Sequence, residues 1–188
     1  LKDIDFSKIS QIVQKTIEEQ KANGVNFFSE IKSTIQDVVD FAPFNKQIDL
    51  YQANFNIKDV FNHYITENMY SAWNGQTLKL GLALDKKTNA IHYSDSDFSG
   101  SEAGYILYVN LNIFGLKKIC VAQQIDEINA EENRIVFSYV EGGKSRGKQI
   151  IQFVDEGENK TKIKHITYYK NESVFRDKYL YPFFHRKV

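Results

Sequence analysis

The sequence predicts an α+β fold in which a long antiparallel curved sheet wraps a C-terminal helix, with a helical hairpin at the N-terminus. Apolar residues recur at helical spacing before Pro43, mostly at alternating spacing from Gln76 to Tyr169, and at helical spacing again from Glu172 onward. The alternating runs are separated by short polar connections, and short connections join antiparallel neighbours, because a parallel pair needs a crossover of about a dozen residues.

Ser7 is a candidate N-cap. Ile9, Ile12, Val13, Thr16, Ile17 and Gln20 follow at helical spacing until Asn23-Gly24 supplies a stop. A second stripe, Ile31, Ile35, Val38, Val39 and Ala42, follows a Ser29 cap and ends before Pro43. The two stripes are expected to satisfy one another, which makes residues 1–43 a separable hairpin and residues 44–188 the main domain. Alternation begins with Ile48 and Leu50, a strand over Gln47 to Phe55. Val60, Phe61, Tyr64, Ile65, Met69 and Trp73 then lie on one side of a helix from Lys58 to Trp73, ended by Asn74-Gly75.

The clearest strand has Leu78, Leu80, Leu82 and Leu84 on one predicted buried face. Further strands are expected near Ala90 to Ser94, Gly104 to Ile113, Leu116 to Ile128, Arg134 to Glu141, Lys148 to Val154 and Lys162 to Tyr169. Glu172 to Val188 returns to helical spacing through Val174, Phe175, Tyr179, Phe183 and Phe184. Pro182 predicts a kink or an end near Tyr181.

Composition narrows the function classes. The chain of 188 residues carries 24 basic and 24 acidic side chains, so it lacks the overall charge expected of a protein that coats nucleic acid. Fourteen Phe and eleven Tyr against one Trp and one Met give broad, rigid surfaces suited to a lined cavity or to a β-rich core. The lone Cys120 cannot form an intrachain disulfide and sits in an apolar run, which fits a reducing, cytoplasmic setting. No stretch approaches the ~18 consecutive apolar residues of a membrane span. The chain begins at Leu1 rather than Met, which leaves a processed leader open.

Strand, helical segment ending at Trp73, antiparallel strands and an aromatic-rich last helix, over roughly Phe44 to Val188, resemble the START and polyketide-cyclase-like (SRPBCC) superfamily with its helix-grip fold. The run from Phe137 to Phe153 and Tyr181-Pro182 resemble an uncharacterised branch of it. The resemblance implies a cavity between the curved sheet and the last helix, often for lipids, sterols or other apolar compounds. It assigns no catalytic residue, because carriers, cyclases and hydrolases share this fold.

Motif by motif, the chemistry reads as structure. Asp95-Ser96-Asp97-Phe98-Ser99-Gly100 imitates the start of a calcium loop, but position 12 is Ile106 rather than an acid, so it reads as a solvated connection or a mobile cavity mouth. His63, His92, His165 and His185 lack metal-ligand spacing, and no metal or cofactor is expected. Gly142-Gly143-Lys144-Ser145 lacks the spacing of a phosphate loop and reads as a hairpin turn. His165 shares a strand face with Thr161, Ile163, Thr167 and Tyr169, on either the concave or the outer side. The leading expectation is a non-catalytic pocket protein for an apolar or aromatic small molecule, lined by Tyr139, His165, Tyr169, Phe175 and Tyr179. An interaction module with a filled cavity and a cyclase-like or hydrolase-like enzyme are the alternatives; the oligomeric state is open.

Overall fold

A computed structural model describes residues 1–171 apart from Val39, Asp97, Phe114, Leu116 and Lys144. The predicted closing helix over Glu172 to Val188 lies outside the described residues, and with it Phe175 and Tyr179. Among the described residues one eight-stranded antiparallel sheet organises the fold, in the order β1-β8-β7-β6-β5-β4-β2-β3. The strands are β1 (Asn45–Ala53), β2 (Leu78–Asp85), β3 (Ile91–His92), β4 (Tyr105–Ile113), β5 (Lys117–Asn129), β6 (Arg134–Tyr139), β7 (Ser145–Gly157) and β8 (Lys160–Asn171). From β4 to β8 each strand pairs with its sequence neighbour, as short connections require, and β1 joins the far edge beside β8. The predicted α+β class with a curved antiparallel sheet is the observed one.

Among the described residues three α-helices flank the sheet. α1 (Gln11–Ala22) packs on one face, called outer here, while α2 (Ile57–Thr66) and α3 (Met69–Ala72) pack on the other, inner face. The inner core joins Val60, Phe61, Met69 and Tyr70 to Leu80, Leu107, Ile125, Phe137, Ile151, Phe153 and Ile163. The outer core joins Val13, Ile17, Phe28 and Ile31 to Leu82, Leu84, Ile106, Tyr108 and Val140. Burying each such aliphatic side chain contributes about 1.5–3 kcal/mol. The buried Tyr108 hydroxyl donates to Gln20 Oε1 at 2.7 Å and so fixes α1 on the sheet.

Three expectations are corrected. The described residues of 29–42 form no second helix: a 3-10 turn, Phe28–Glu30, is followed by an isolated bridge between Ser33 and Val140. Here the backbone bonds to the end of β6, with Thr34 N donating to Tyr139 O and Glu141 N donating to Lys32 O, both at 2.8 Å. Ile31 joins Val13 and Ile17 of α1 in the outer core laid on the sheet. The helix expected over Lys58 to Trp73 breaks at Glu67, where Asn68 caps α3 by accepting from Tyr70 N and Ser71 N.

Third, the leucines of β2 do not share one face. Register slips between Leu80 and Leu82, sending Leu80 to the inner core and Leu82 and Leu84 to the outer one. Gly81 sits at the slip because a Cβ there would lie 2.8 Å from Val13 Cγ2 and 2.5 Å from Asn110 Nδ2.

Candidate ligand-binding site

Alternation and register decide which side chains meet on the inner face. Residues directly paired in an antiparallel ladder point to the same side. Ile163 pairs with Phe153 beneath α2, and His165 pairs with Ile151 on one side and Asp49 on the other. Thr167 lies between Gln47 and Gln149, while Tyr169 lies between Asn45 and Gly147. Gln149 pairs with Phe137, and Tyr139 pairs with Gln123. The face thus has an apolar part under α2 and a polar part further along the same strands.

The apolar part is aromatic. The Phe61 ring meets Phe153 edge-on at 5.4 Å and Tyr64 meets the same ring at 4.9 Å. Tyr64 is held above the usual tyrosine pKa, first by burial and then by nearby Tyr51. In the polar part, Tyr51 stands edge-on to the His165 imidazole at 5.0 Å. Gln149 Nε2 lies 3.4 Å from His165 Nδ1, and Gln47 Nε2 donates to Asp49 Oδ2 at 2.8 Å. Tyr139, Thr167 and Tyr169 are buried and His165 is half-buried.

Two backbone devices position this end. Thr34 Oγ1 donates to Tyr139 O at 3.0 Å and accepts from Gly147 N at 3.2 Å, bridging β6 and β7. Gly147 has a φ of +133°, and a Cβ there would sit 1.9 Å from Tyr168 O. Only glycine lets β7 approach β8 this closely.

Of the residues expected to line a pocket, the structure brings Tyr139, His165 and Tyr169 onto one face, the inner one. Phe175 and Tyr179 lie outside the described residues. Sequence reasoning grouped Thr167 with His165 on one strand face but passed over Asp49, Tyr51 and Gln149 as members of the same surface. Their signal was present on β1, where the polar Gln47, Asp49 and Tyr51 alternate with the apolar Ile48 and Leu50.

Other motifs resolve into structural roles. In the connection expected as a mobile mouth, Phe98 is buried and stacks on His92 at 4.1 Å, while Gly100 N and Ser101 N donate to Glu67 O and Ile65 O. Asp95 pairs with Lys8 at 2.8 Å, and Asp97 lies outside the described residues. No group of three or more His, Cys, Asp or Glu side chains that could hold a metal occurs among the described residues. Burial pushes the Cys120 thiol up to about 11, and it packs beside the outer core, on the side of the sheet opposite His165. An open groove of about 440 Å³ lies between residues 29–36 and β5, and Lys86 Nζ reaches across to Ile31 O and Gln124 Oε1. No described helix is long and apolar enough to cross a membrane.

No protein-family model matches the chain, and no curated protein matches it. Solved structures do. Major latex-like protein 151 from Panax ginseng superposes with a TM-score of 0.54 at 12% identity, over 76% of this chain and 91% of that one. A truncated norcoclaurine synthase from Thalictrum flavum gives 0.51 at 15% identity, over 74% and 84%. An uncharacterised protein from Bacillus thuringiensis gives 0.51 at 9% identity, over 76% and 92%. At these identities the likeness shows the fold alone, and the chain has a START/SRPBCC-like fold.

Proposed function

We propose that the inner face binds a small molecule with an apolar or aromatic body and one or two polar groups, and that it does so without catalysing a reaction. The observation that carries this reading is the placing of Tyr139, Gln149, His165, Thr167 and Tyr169 beside Phe137, Ile151, Phe153 and Ile163 on one sheet surface. Apolar floors with a few convergent polar groups are the usual composition of small-molecule sites. The phenol, amide, imidazole and hydroxyl groups suit hydroxyl or carbonyl groups on the ligand.

An enzyme is the second reading, favoured by one observation: Asp49 stands directly across from His165 in register, and a carboxylate beside an imidazole is the usual arrangement for orienting a general base. Norcoclaurine synthase, a structural neighbour, is an enzyme that has been captured with a transition-state analogue.

Native mass spectrometry of the purified chain before and after organic extraction, followed by a thermal-shift screen of fatty acids, sterols and aromatic metabolites, tests the proposal. A bound or stabilising compound is expected. Its stabilisation should fall in Tyr139→Phe and His165→Gln, each of which removes one polar contact while keeping most of the volume. Absence of any bound or stabilising compound, or equal stabilisation in both variants, would overturn the assignment of this face. Turnover of the compound, lost in Asp49→Asn, would replace the non-catalytic reading with the enzymatic one.

A further inference from the structure

On the outer face, four β-branched side chains form a straight row across four neighbouring strands. Ile48 pairs with Ile166, Ile166 with Ile150, and Ile150 with Val136. Nothing in the outer core of described residues comes from β1, β6, β7 or β8, because α1 lies over β4 and β5. Ile48 is 51% exposed, and Leu50, beside it on the same face of the edge strand, is 60% exposed.

The charges around this row are mostly basic. By alternation, the outward positions of β1, β7 and β8 include Lys46, Arg146, Lys148, Lys162, Lys164 and Lys170 against one acid, Glu156, while Glu127 of β5 stands across from Val136 and is paired with Arg134. Lys162 pairs with Glu156 at the β7–β8 turn. Lys46, Lys148, Lys164 and Lys170 form no ion pair with the described residues, although Asp126 lies near enough to feel Lys148. The Lys148 ammonium sits 4.1 Å from the Phe41 ring centroid and that of Lys46 5.4 Å from the Tyr168 centroid, so both stems are braced on aromatic rings. In a chain with no net charge, this is local segregation.

We propose that this face docks on an anionic lipid bilayer. Exposed aliphatic side chains enter the boundary between headgroups and acyl chains, and flanking lysines extend along the apolar surface to reach lipid phosphates. The aliphatic centre is what separates this occupant from nucleic acid, which on a sheet is held by exposed aromatic rings that stack on bases. Beside this row the rings of Tyr168 and Phe41 are half-buried against each other. Docking stands independently of whether the inner face takes a ligand.

Co-sedimentation of the full chain with phosphatidylglycerol–phosphatidylcholine vesicles and with pure phosphatidylcholine vesicles tests it. Partition onto the anionic vesicles alone is expected, weakening as salt rises. Lys148→Glu with Lys164→Glu should lower that partition roughly tenfold or more, with the thermal midpoint checked so that misfolding is not mistaken for lost binding. Ile48→Ser with Leu50→Ser, both exposed positions, should keep attraction at low salt and lose the part that persists at high salt. Failure to partition, equal partition onto the neutral vesicles, or indifference to the charge reversal would overturn the proposal. So would tighter binding to a single-stranded RNA oligonucleotide or to polyglutamate than to the vesicles. Ligand uptake is measured without vesicles, so the two readings fail separately.

Discussion

The two halves of the sheet are built to different rules. In the half formed by β2, β4 and β5, both faces carry core: α1 and the preceding residues lie on one side, α2 and α3 contribute to the other. Leu82, Ala83, Leu84, Ile106, Leu107 and Tyr108 all have 0% exposure, although successive residues point to opposite faces. In the half formed by β1, β6, β7 and β8, the inner face holds the candidate site and the outer face carries lysines around a partly exposed aliphatic row. The closed half is a frame sealed by the N-terminal segment. The open half carries both proposed binding surfaces.

Removing the seal should have the largest effect. Deleting residues 1–43 would uncover Leu82, Leu84, Ile106 and Tyr108 at once, four side chains each worth about 1.5–3 kcal/mol when buried. This sum is comparable to the whole stability of an ordinary domain. The truncated chain is expected to be insoluble or molten, with a non-cooperative thermal transition and strong binding of an apolar dye. A cooperative melt near that of the full chain would instead show that the separable hairpin expected from the sequence describes the energetics better than the shared core does.

The helix expected after Ser29 fails for a physical reason. The stripe Ile31, Ile35, Val38 and Ala42 has helical spacing, but its members are largely β-branched, which weakens helix propensity, and the end of β6 offers backbone partners that a helix would forgo. The strands themselves were legible because their turns carry Gly and Asn at positions such as Asn89, Asn133, Gly142, Asn159 and Gly157, all of positive φ. Their faces were harder to read. In β2 a one-residue slip at Gly81 divides four leucines between two cores, and nothing in a run of alternating leucines marks the slip except the glycine itself. In β1 the apolar Ile48 and Leu50 point outward while Gln47, Asp49 and Tyr51 point inward, the reverse of the usual half-buried strand. That inversion hid Asp49 and Tyr51 from the expected site, whereas Tyr139, His165 and Tyr169 lie on strands of ordinary polarity.

Glycines sharpen the comparison at the next scale of energy. Gly147→Ala in the open half would set a Cβ against backbone, 1.9 Å from Tyr168 O and 2.8 Å from Tyr168 C, at a φ that L side chains rarely adopt. Strands β7 and β8 would have to part, at a cost of roughly 3 kcal/mol or more. Gly81→Ala in the closed half meets the ends of two side chains, Asn110 and Val13, which can move, so about 1–3 kcal/mol is expected. Denaturant melts of both variants check the order. Equal losses would mean that α1 is too tightly held for Val13 to yield.

The smallest expected effect tests the openness of the outer face most directly. Leu50→Thr replaces a side chain that is 60% exposed, in a strand where threonine is well tolerated, so stability should change by no more than about 0.5 kcal/mol. Leu82→Thr, the same substitution on the same face of the sheet but beneath α1, removes fully buried methyl groups and buries a hydroxyl, and should cost about 3 kcal/mol or more. Because the chemistry of the two changes is identical, the difference between their denaturation midpoints isolates coverage of the sheet. A loss above about 2 kcal/mol for Leu50→Thr would mean that something covers the face around β1 in solution, and the charged row described above would then be a seam within the protein rather than a surface presented to a bilayer.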